Sequence, residues 1–181
     1  ALPISIATQI SPSMYRISDK ARRENLPKPR LVFIARYHQP RLQKKGDPFT
    51  EQVRATAESV VKAIGGDYEW RICYQAAPTF SSTVGPTIDE ALKEAAEDKV
   101  PVMLIPVTHT VEDSVTMIHM DKFYAARAER YGVPLYERVK TVGNHHDFMQ
   151  GLAEKILDED RLIKLDLDSR ELYKTVFESK R

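Results

Sequence analysis

The sequence of 181 residues lacks several features that would place it in a class at once, beginning with cysteine, of which it has one, Cys73. A single cysteine excludes an internal disulfide, a cysteine-based zinc site and a self-contained iron–sulfur cluster, and it fits a reducing compartment or the inside of an organelle. There is no glycine-rich phosphate-binding loop and no internal repeat. The apolar runs stay far below the roughly 20 residues that span a bilayer, so the sequence predicts no transmembrane segment.

The chain also lacks an excess of charge of either sign. Lysine and arginine total 27 and aspartate and glutamate 26, and the two signs are interleaved, which argues against a nucleic-acid partner and a polybasic membrane patch. The length suits one domain and is too short for two full α/β domains. The chain starts at Ala1 rather than at methionine, which suggests a processed or truncated product, and a removed targeting peptide is one explanation.

What the sequence does contain is a regular alternation of apolar runs with amphipathic segments. Leu31 to Ala35 is a continuous apolar run, typical of a strand buried on both faces. Asp47-Pro48 then begins a helix that Gly65-Gly66 ends. Further strands are predicted at 68–75, 100–107 and 135–142, and further helices at 87–97, 112–131 and 146–157. This order predicts an α/β fold of three layers, in which a parallel sheet of four to five strands is flanked by helices and ligands bind at the carboxyl ends of the strands.

The two ends of the chain differ from this alternating part. Leu2 to Ile10 is predicted to be a short strand, so residues 1–30 form a leading strand and a connection, and residues 31–157 form the lobe. Residues 158–181 are highly charged, with apolar residues spaced for a narrow helical stripe at Leu162, Leu165, Leu172 and Val176. We expect a helical, charged C-terminal arm that docks on other protein subunits.

Several segments, in order and with matching spacing, resemble the C-terminal half of ferrochelatases, which insert ferrous iron into protoporphyrin. The stretch LVFIARYHQP, followed by Gly46-Asp47-Pro48-Phe49, is similar to a family strand ending in SAHSLP and followed by GDPY. Gly85-Pro86-Thr87 with Asp89-Glu90 is similar to the family's loop closing as GP with TDE. Leu104 to Asp121 corresponds to a family segment of the form LVPIAFTSDHIETLYELD. The resemblance therefore implies a chelatase-like lobe.

The resemblance also implies where catalytic residues should be. Inserting iron requires a base that removes two pyrrole protons, and the family assigns this work to the histidine of HSLP and the first glutamate of ETLYE. Counting back from Gly46 places Arg36 at the histidine position. Counting back from Asp121 places Val115 at the glutamate position and His119 at the family's second glutamate. Since arginine stays protonated and valine carries no proton chemistry, the resemblance predicts that no catalytic residue is intact.

The leading interpretation is a ferrochelatase-like protein without chelatase activity and without a cofactor, retained as a structural or assembly subunit of a larger mitochondrial complex. It would lie on the matrix side or at the periphery of the inner membrane. The length supports this interpretation, since a complete ferrochelatase has two such lobes around its porphyrin cleft.

Two alternatives remain open. One is an active chelatase for ferrous iron and protoporphyrin, either completed by another chain or using a relocated metal site made of His38, Glu112 and His119. The other is a haem or porphyrin carrier that binds the ring without metallating it.

Overall fold

A parallel sheet of four strands forms the centre of the computed structural model, which describes residues 2–76 and 82–166, with the side chains of 160–166 left out. The strands lie in the order β2-β1-β3-β4. They are β1 Arg30–Ala35, β2 Trp70–Tyr74, β3 Val102–Pro106 and β4 Tyr136–Arg138. Each neighbouring pair is parallel, so the predicted α/β fold with a parallel sheet is confirmed.

Helices cover both faces of the sheet and complete three layers. They are α1 Leu2–Arg23, α2 Pro40–Lys44, α3 Phe49–Ile64, α4 Ile88–Glu97, a π-helix Val115–Tyr124, α5 Ala125–Tyr131 and α6 His146–Asp166. Residues of β1 alternate between the two cores: Leu31 and Phe33 face α1 and α3, while Val32 and Ile34 face α4 and α5. All six residues of β1 are buried, which explains why the apolar run has no polar alternation.

The prediction of a strand at Leu2 to Ile10 is wrong, because these residues begin helix α1. The segment alternates apolar and polar residues over a short range, a pattern that a helix can also satisfy. Ile6, Ile10 and Ile17 lie on one helical face, and each is at most 3% exposed against the sheet. Packing on the sheet therefore decided the conformation, and residues 1–30 are a helix and a connection rather than a leading strand.

The helix predicted at 112–131 is present but divided. Its first part is the π-helix and its second is α5, which ends at Gly132 as expected, with Gly132 in the left-handed region at a φ of 89°. π-Helices are rare and occur often at functional sites. The sequence carries no signal that separates them from α-helices, since both keep an apolar face against the core.

The C-terminal part begins with a strand shorter than expected, since of 135–142 only Tyr136–Arg138 pairs with β3. Helix α6 then runs from His146 through residue 158 to Asp166 without a break, so the start of the predicted arm is helical. Residues 167–181 of that arm lie outside the described residues. No helix in the described ranges is long and apolar enough to cross a bilayer.

Candidate functional site

The order of the strands defines where a ligand site would lie. From β1 the chain moves to β2 on one side, and β3 lies on the other side of β1. The connections therefore diverge at the carboxyl ends of β1 and β3, which is the crevice where open α/β sheets bind ligands. The loop after β1 carries Arg36 and His38, and the loop after β3 carries His109 and Glu112. These loops are the candidate site.

Arg36 is the first residue after β1, and its side chain is exposed. Its backbone N–H donates a hydrogen bond to Thr108 Oγ1 at 2.9 Å, which links the loops after β1 and β3. Among the described residues the guanidinium takes part in no ion pair. The edge of the sheet therefore presents a fixed positive charge at the position where the family alignment expects a base.

His109 lies in the loop after β3 and is only 3% exposed. Burial lowers the pKa of its imidazole, and the nearby positive charge of Arg36 lowers it further. Its Nδ1 is buried and has no hydrogen-bond partner within the described part of the chain. His109 is thus a neutral, enclosed imidazole at neutral pH, and its pKa depends partly on Arg36.

His38 faces the beginning of α3 rather than open solvent. Its ring stacks on Phe49 with the centroids 4.5 Å apart and the planes at 21°. Its carbonyl accepts a hydrogen bond from the N–H of Val84 at 3.1 Å, and its Nε2 lies 3.7 Å from Asp47 Oδ1. With 9% of its surface exposed, His38 joins three segments of the lobe and has a packing role.

Glu112 is held by an arginine that the sequence analysis did not identify. Its Oε1 accepts hydrogen bonds from Arg138 Nη1 at 3.1 Å and from the Thr141 N–H at 2.8 Å. Burial by itself would raise the pKa of Glu112, but these bonds and one from Thr116 lower it to about 2. Arg138 also binds Asp121 on the π-helix. Glu112 is therefore an ionised structural carboxylate and a poor base.

The π-helix carries Val115 and His119, the two residues that the sequence resemblance predicts at the positions of the family's glutamates. Val115 is partly buried and packs on the core between the sheet and α4 and α5. His119 is exposed, and its ring lies 5.5 Å from that of Phe123 and 6.5 Å from that of Tyr124. Asp113 precedes the helix, and its Oδ1 accepts hydrogen bonds from the backbone N–H groups of Val115 and Thr116, both at 2.9 Å.

The relocated metal site made of His38, Glu112 and His119 is not assembled. The three side chains have separate neighbours: Phe49 for His38, Arg138 for Glu112 and Phe123 for His119. Within the described ranges, no three histidine, cysteine, aspartate or glutamate residues form a group that could hold a metal ion. Cys73 is fully buried in β2, and burial raises the pKa of its thiol well above its usual range.

Sequence reasoning missed two residues that shape the site. Arg138 appears in the sequence as one charged residue of a short strand, with no sign that two acidic residues bind it. His109 is, in the sequence, a single histidine after a buried strand, and its link to Arg36 depends on the pairing of β1 with β3. Both contacts join residues distant in sequence, so only the folded chain reveals them.

The sheet is open and parallel, helices cover both of its faces, and a polar crevice lies where its connections diverge. These features define an α/β protein of the class that binds ligands at such a crevice. Comparison with known proteins identifies the family. The ferrochelatase family profile matches residues 7–160. The chain is 33% identical over 129 residues to the ferrochelatase of Caulobacter vibrioides (strain NA1000 / CB15N), which covers 71% of this chain and 37% of that protein.

A second relative gives a longer match. The chain is 30% identical over 152 residues to the ferrochelatase of Wolbachia pipientis wMel, covering 83% of this chain and 46% of that protein. The chain belongs to the ferrochelatase family. It spans less than half the length of these curated relatives, 37% of one and 46% of the other.

Proposed function

We propose that this chain is a non-catalytic member of the ferrochelatase family that serves as a structural or assembly subunit of a larger mitochondrial complex. The observation that carries the proposal is the charge at the carboxyl end of β1. Arg36 occupies the position that the alignment from Gly46 gives to the family's histidine. A permanent cation there cannot accept a pyrrole proton, and it repels ferrous iron from the crevice.

The surroundings of Arg36 support the same conclusion. Val115, at the position aligned with the family's glutamate, offers no carboxylate. Glu112, the carboxylate of the proposed relocated metal site, is bound to Arg138 and Thr141. His38 is enclosed against Phe49. A base would need a free lone pair within reach of the substrate, and of these four side chains Arg36 is charged, Val115 is apolar, Glu112 is bonded to Arg138 and His38 is enclosed by packing.

The alternative is an active chelatase acting on ferrous iron and protoporphyrin. In its favour, the curated relatives at 30–33% identity carry the name ferrochelatase. This alternative requires His38 or His119 to replace the family's base, or a second chain that supplies the missing groups. A porphyrin carrier is a weaker alternative, which absorbance titration with protoporphyrin tests directly.

The deciding experiment is native purification of the chain with its partners from mitochondria of the source, followed by an anaerobic assay with ferrous iron and protoporphyrin. We expect a stoichiometric assembly and no haem formation above the protein-free rate. The ferrochelatase of Caulobacter vibrioides, assayed in parallel, shows that the conditions support turnover.

Haem formation that disappears on changing His38→Ala or His119→Ala in the assembly would overturn the proposal and support relocated ligands. Recovery of the chain outside mitochondria would overturn the proposed location alone. A chain that purifies alone, with no partner at constant ratio, would overturn the assembly role while leaving the loss of catalysis unaffected.

A further inference from the structure

We propose that the groove between α1 and α3 docks an amphipathic helix of a partner protein, basic in its N-terminal half and acidic in its C-terminal half. The inference rests on the proposed assembly role, because it names the kind of partner that role requires. The groove lies along the outer side of α1, on the face of the sheet that α1 and α3 cover. It uses none of the residues of the candidate site.

The groove has a volume of about 810 Å³ and follows nearly the whole of α1. Its lining begins at Ile4, continues through Ser11 and Tyr15, and reaches Arg22, with Ile64 and Tyr68 on the opposite wall. From Ile4 to Arg22 a helix rises about 27 Å. An α-helix of about 18 residues lying alongside α1 would fill this length.

The walls of the groove are apolar and exposed to solvent. Ile4 is 59% exposed and Tyr15 is 77% exposed, so two large side chains lack cover at the rim. Between them the lining includes the small residues Ala7, Thr8 and Ser11 beside Ile10 and Met14, and small residues let a second helix approach closely. Ser11 directs its hydroxyl to the Ala7 carbonyl of its own helix at 3.4 Å, so covering it leaves no unpaired donor. The surface is therefore suited to apolar burial.

The two ends of the groove carry opposite charges, and this sets the chemistry of the occupant. At one end Ile4 also borders a hollow lined by Asp147 and Glu154 of α6. At the other end the last turn of α1 carries Lys20, Arg22 and Arg23. Lys28 adds a positive charge there, with its Nζ 5.6 Å above the ring of Tyr68. Asp19 at that end is paired with Arg22 and Arg23.

A helix complementary to these charges places basic side chains beside Asp147 and Glu154 and acidic side chains beside Lys28, which takes part in no ion pair among the described residues, whereas Arg22 is already paired with Asp19. The helix dipole favours the same orientation, since the positive N-terminus then lies at the acidic end of the groove and the negative C-terminus at the basic end. A partner with its charges in the reverse order meets like charges at both ends. Charge order therefore discriminates between partners.

The test uses the purified full chain and two dye-labelled helical peptides of about 18 residues with the same leucine stripe. One peptide carries lysines in its first half and glutamates in its second, and the other has these charges exchanged. Fluorescence anisotropy measures binding. We expect the first peptide to bind with a dissociation constant of about 10 μM or tighter and about tenfold more tightly than the second.

A matched pair of variants locates the binding. Ser11 and Ser59 are both exposed helical serines that bond the carbonyl four residues back, but Ser59 does not line the groove. Ser11→Lys should weaken binding about tenfold or more, and Ser59→Lys should leave it unchanged. Changing Asp147→Lys together with Glu154→Lys should remove the preference between the two peptides.

Equal affinity for the two peptides, no binding by either, or no effect of Ser11→Lys would overturn the inference. Sedimentation tests the other occupant: a dimer of the unmodified chain that Ser11→Lys abolishes would assign the groove to a second copy and also overturn it. Neither measurement involves haem formation, so the inference can fail while the proposed loss of catalysis stands, and the reverse.

Discussion

Arg36 and His38 are two residues apart, yet their side chains have opposite surroundings. Arg36 is exposed and its backbone is tied to Thr108, whereas His38 is enclosed and stacked on Phe49. A catalytic histidine needs a face open to substrate and a nitrogen within reach of the reacting atom. At the scale of single residues, His38 has the environment of a core residue that connects loops.

Replacing His38→Ala should lower the free energy of unfolding by about 1–3 kcal/mol, because the ring's buried contact with Phe49 is lost and a void remains. Urea denaturation at pH 7 measures this. The control is His146→Ala, whose side chain is 84% exposed and which should leave stability unchanged. A variant at His38 that unfolds like the unmodified protein would contradict the packing role.

Glu112 predicts how stability depends on pH. Its pKa is lowered from 4.5 to about 2 in the folded chain, so its contribution is fully present above about pH 4.5 and is lost as the pH falls towards 2. Glu112→Gln should therefore reduce stability at pH 7 and make the loss on acidification shallower. Urea denaturation at pH 7, 4.5 and 2.5 provides the comparison.

The matched control for Glu112 is Glu58→Gln, which changes an exposed carboxylate on α3. If both variants followed the same pH profile, the bonds from Arg138 and Thr141 could not be the cause of the stabilisation.

At the scale of elements, the π-helix is the least expected part of the fold. The sequence predicted one helix over 112–131, and the chain instead begins it with wide π turns between Val115 and Tyr124 before α5. Asp121 in this helix is bound to Arg138 of β4, and Tyr136 donates to the Met120 carbonyl at 2.8 Å. Side chains from β4 thus hold the helix at the edge of the crevice.

Asp113 should control how firmly this helix begins. Asp113→Ala removes the acceptor for the N–H groups of Val115 and Thr116, so we expect a loss of about 1 kcal/mol in stability and faster hydrogen exchange in the first turn. Asp113→Asn keeps an oxygen acceptor and should restore most of the protection. Equal exchange rates in the two variants would show that the carboxylate oxygen does not cap the helix.

Across the whole molecule, the strength of the local sequence signals explains which helices and strands were predictable. The sequence predicted correctly the segments that have strong local signals: β1 and β3 by continuous apolar runs, and α3 by Pro48 and Gly65. Segments without such signals were not predicted correctly. Leu2 to Ile10 fits either a strand or a helix, and contact with the sheet selected the helix.

The candidate site, too, was predictable from the sequence only in part. The family resemblance predicts that Arg36 and Val115 stand where a histidine and a glutamate would be, because this prediction needs only counting along the chain. The surroundings of the other candidate side chains depend on tertiary contacts: Phe49 stacks on His38, Arg138 bonds Glu112, and Arg36 lies near His109. The last two contacts are brought about by strand order, which local sequence does not encode.

The sequence by itself therefore determined the α/β class, the family and the identity of the residues at the crevice, since periodicity and spacing are local properties. Only the tertiary structure decided which polar side chains are already engaged and where a partner could bind. The groove along α1 exists because α1 is a helix packed beside α3, and its charge order depends on α6 lying near Ile4. Burial and electrostatic pairing act between elements distant in the chain.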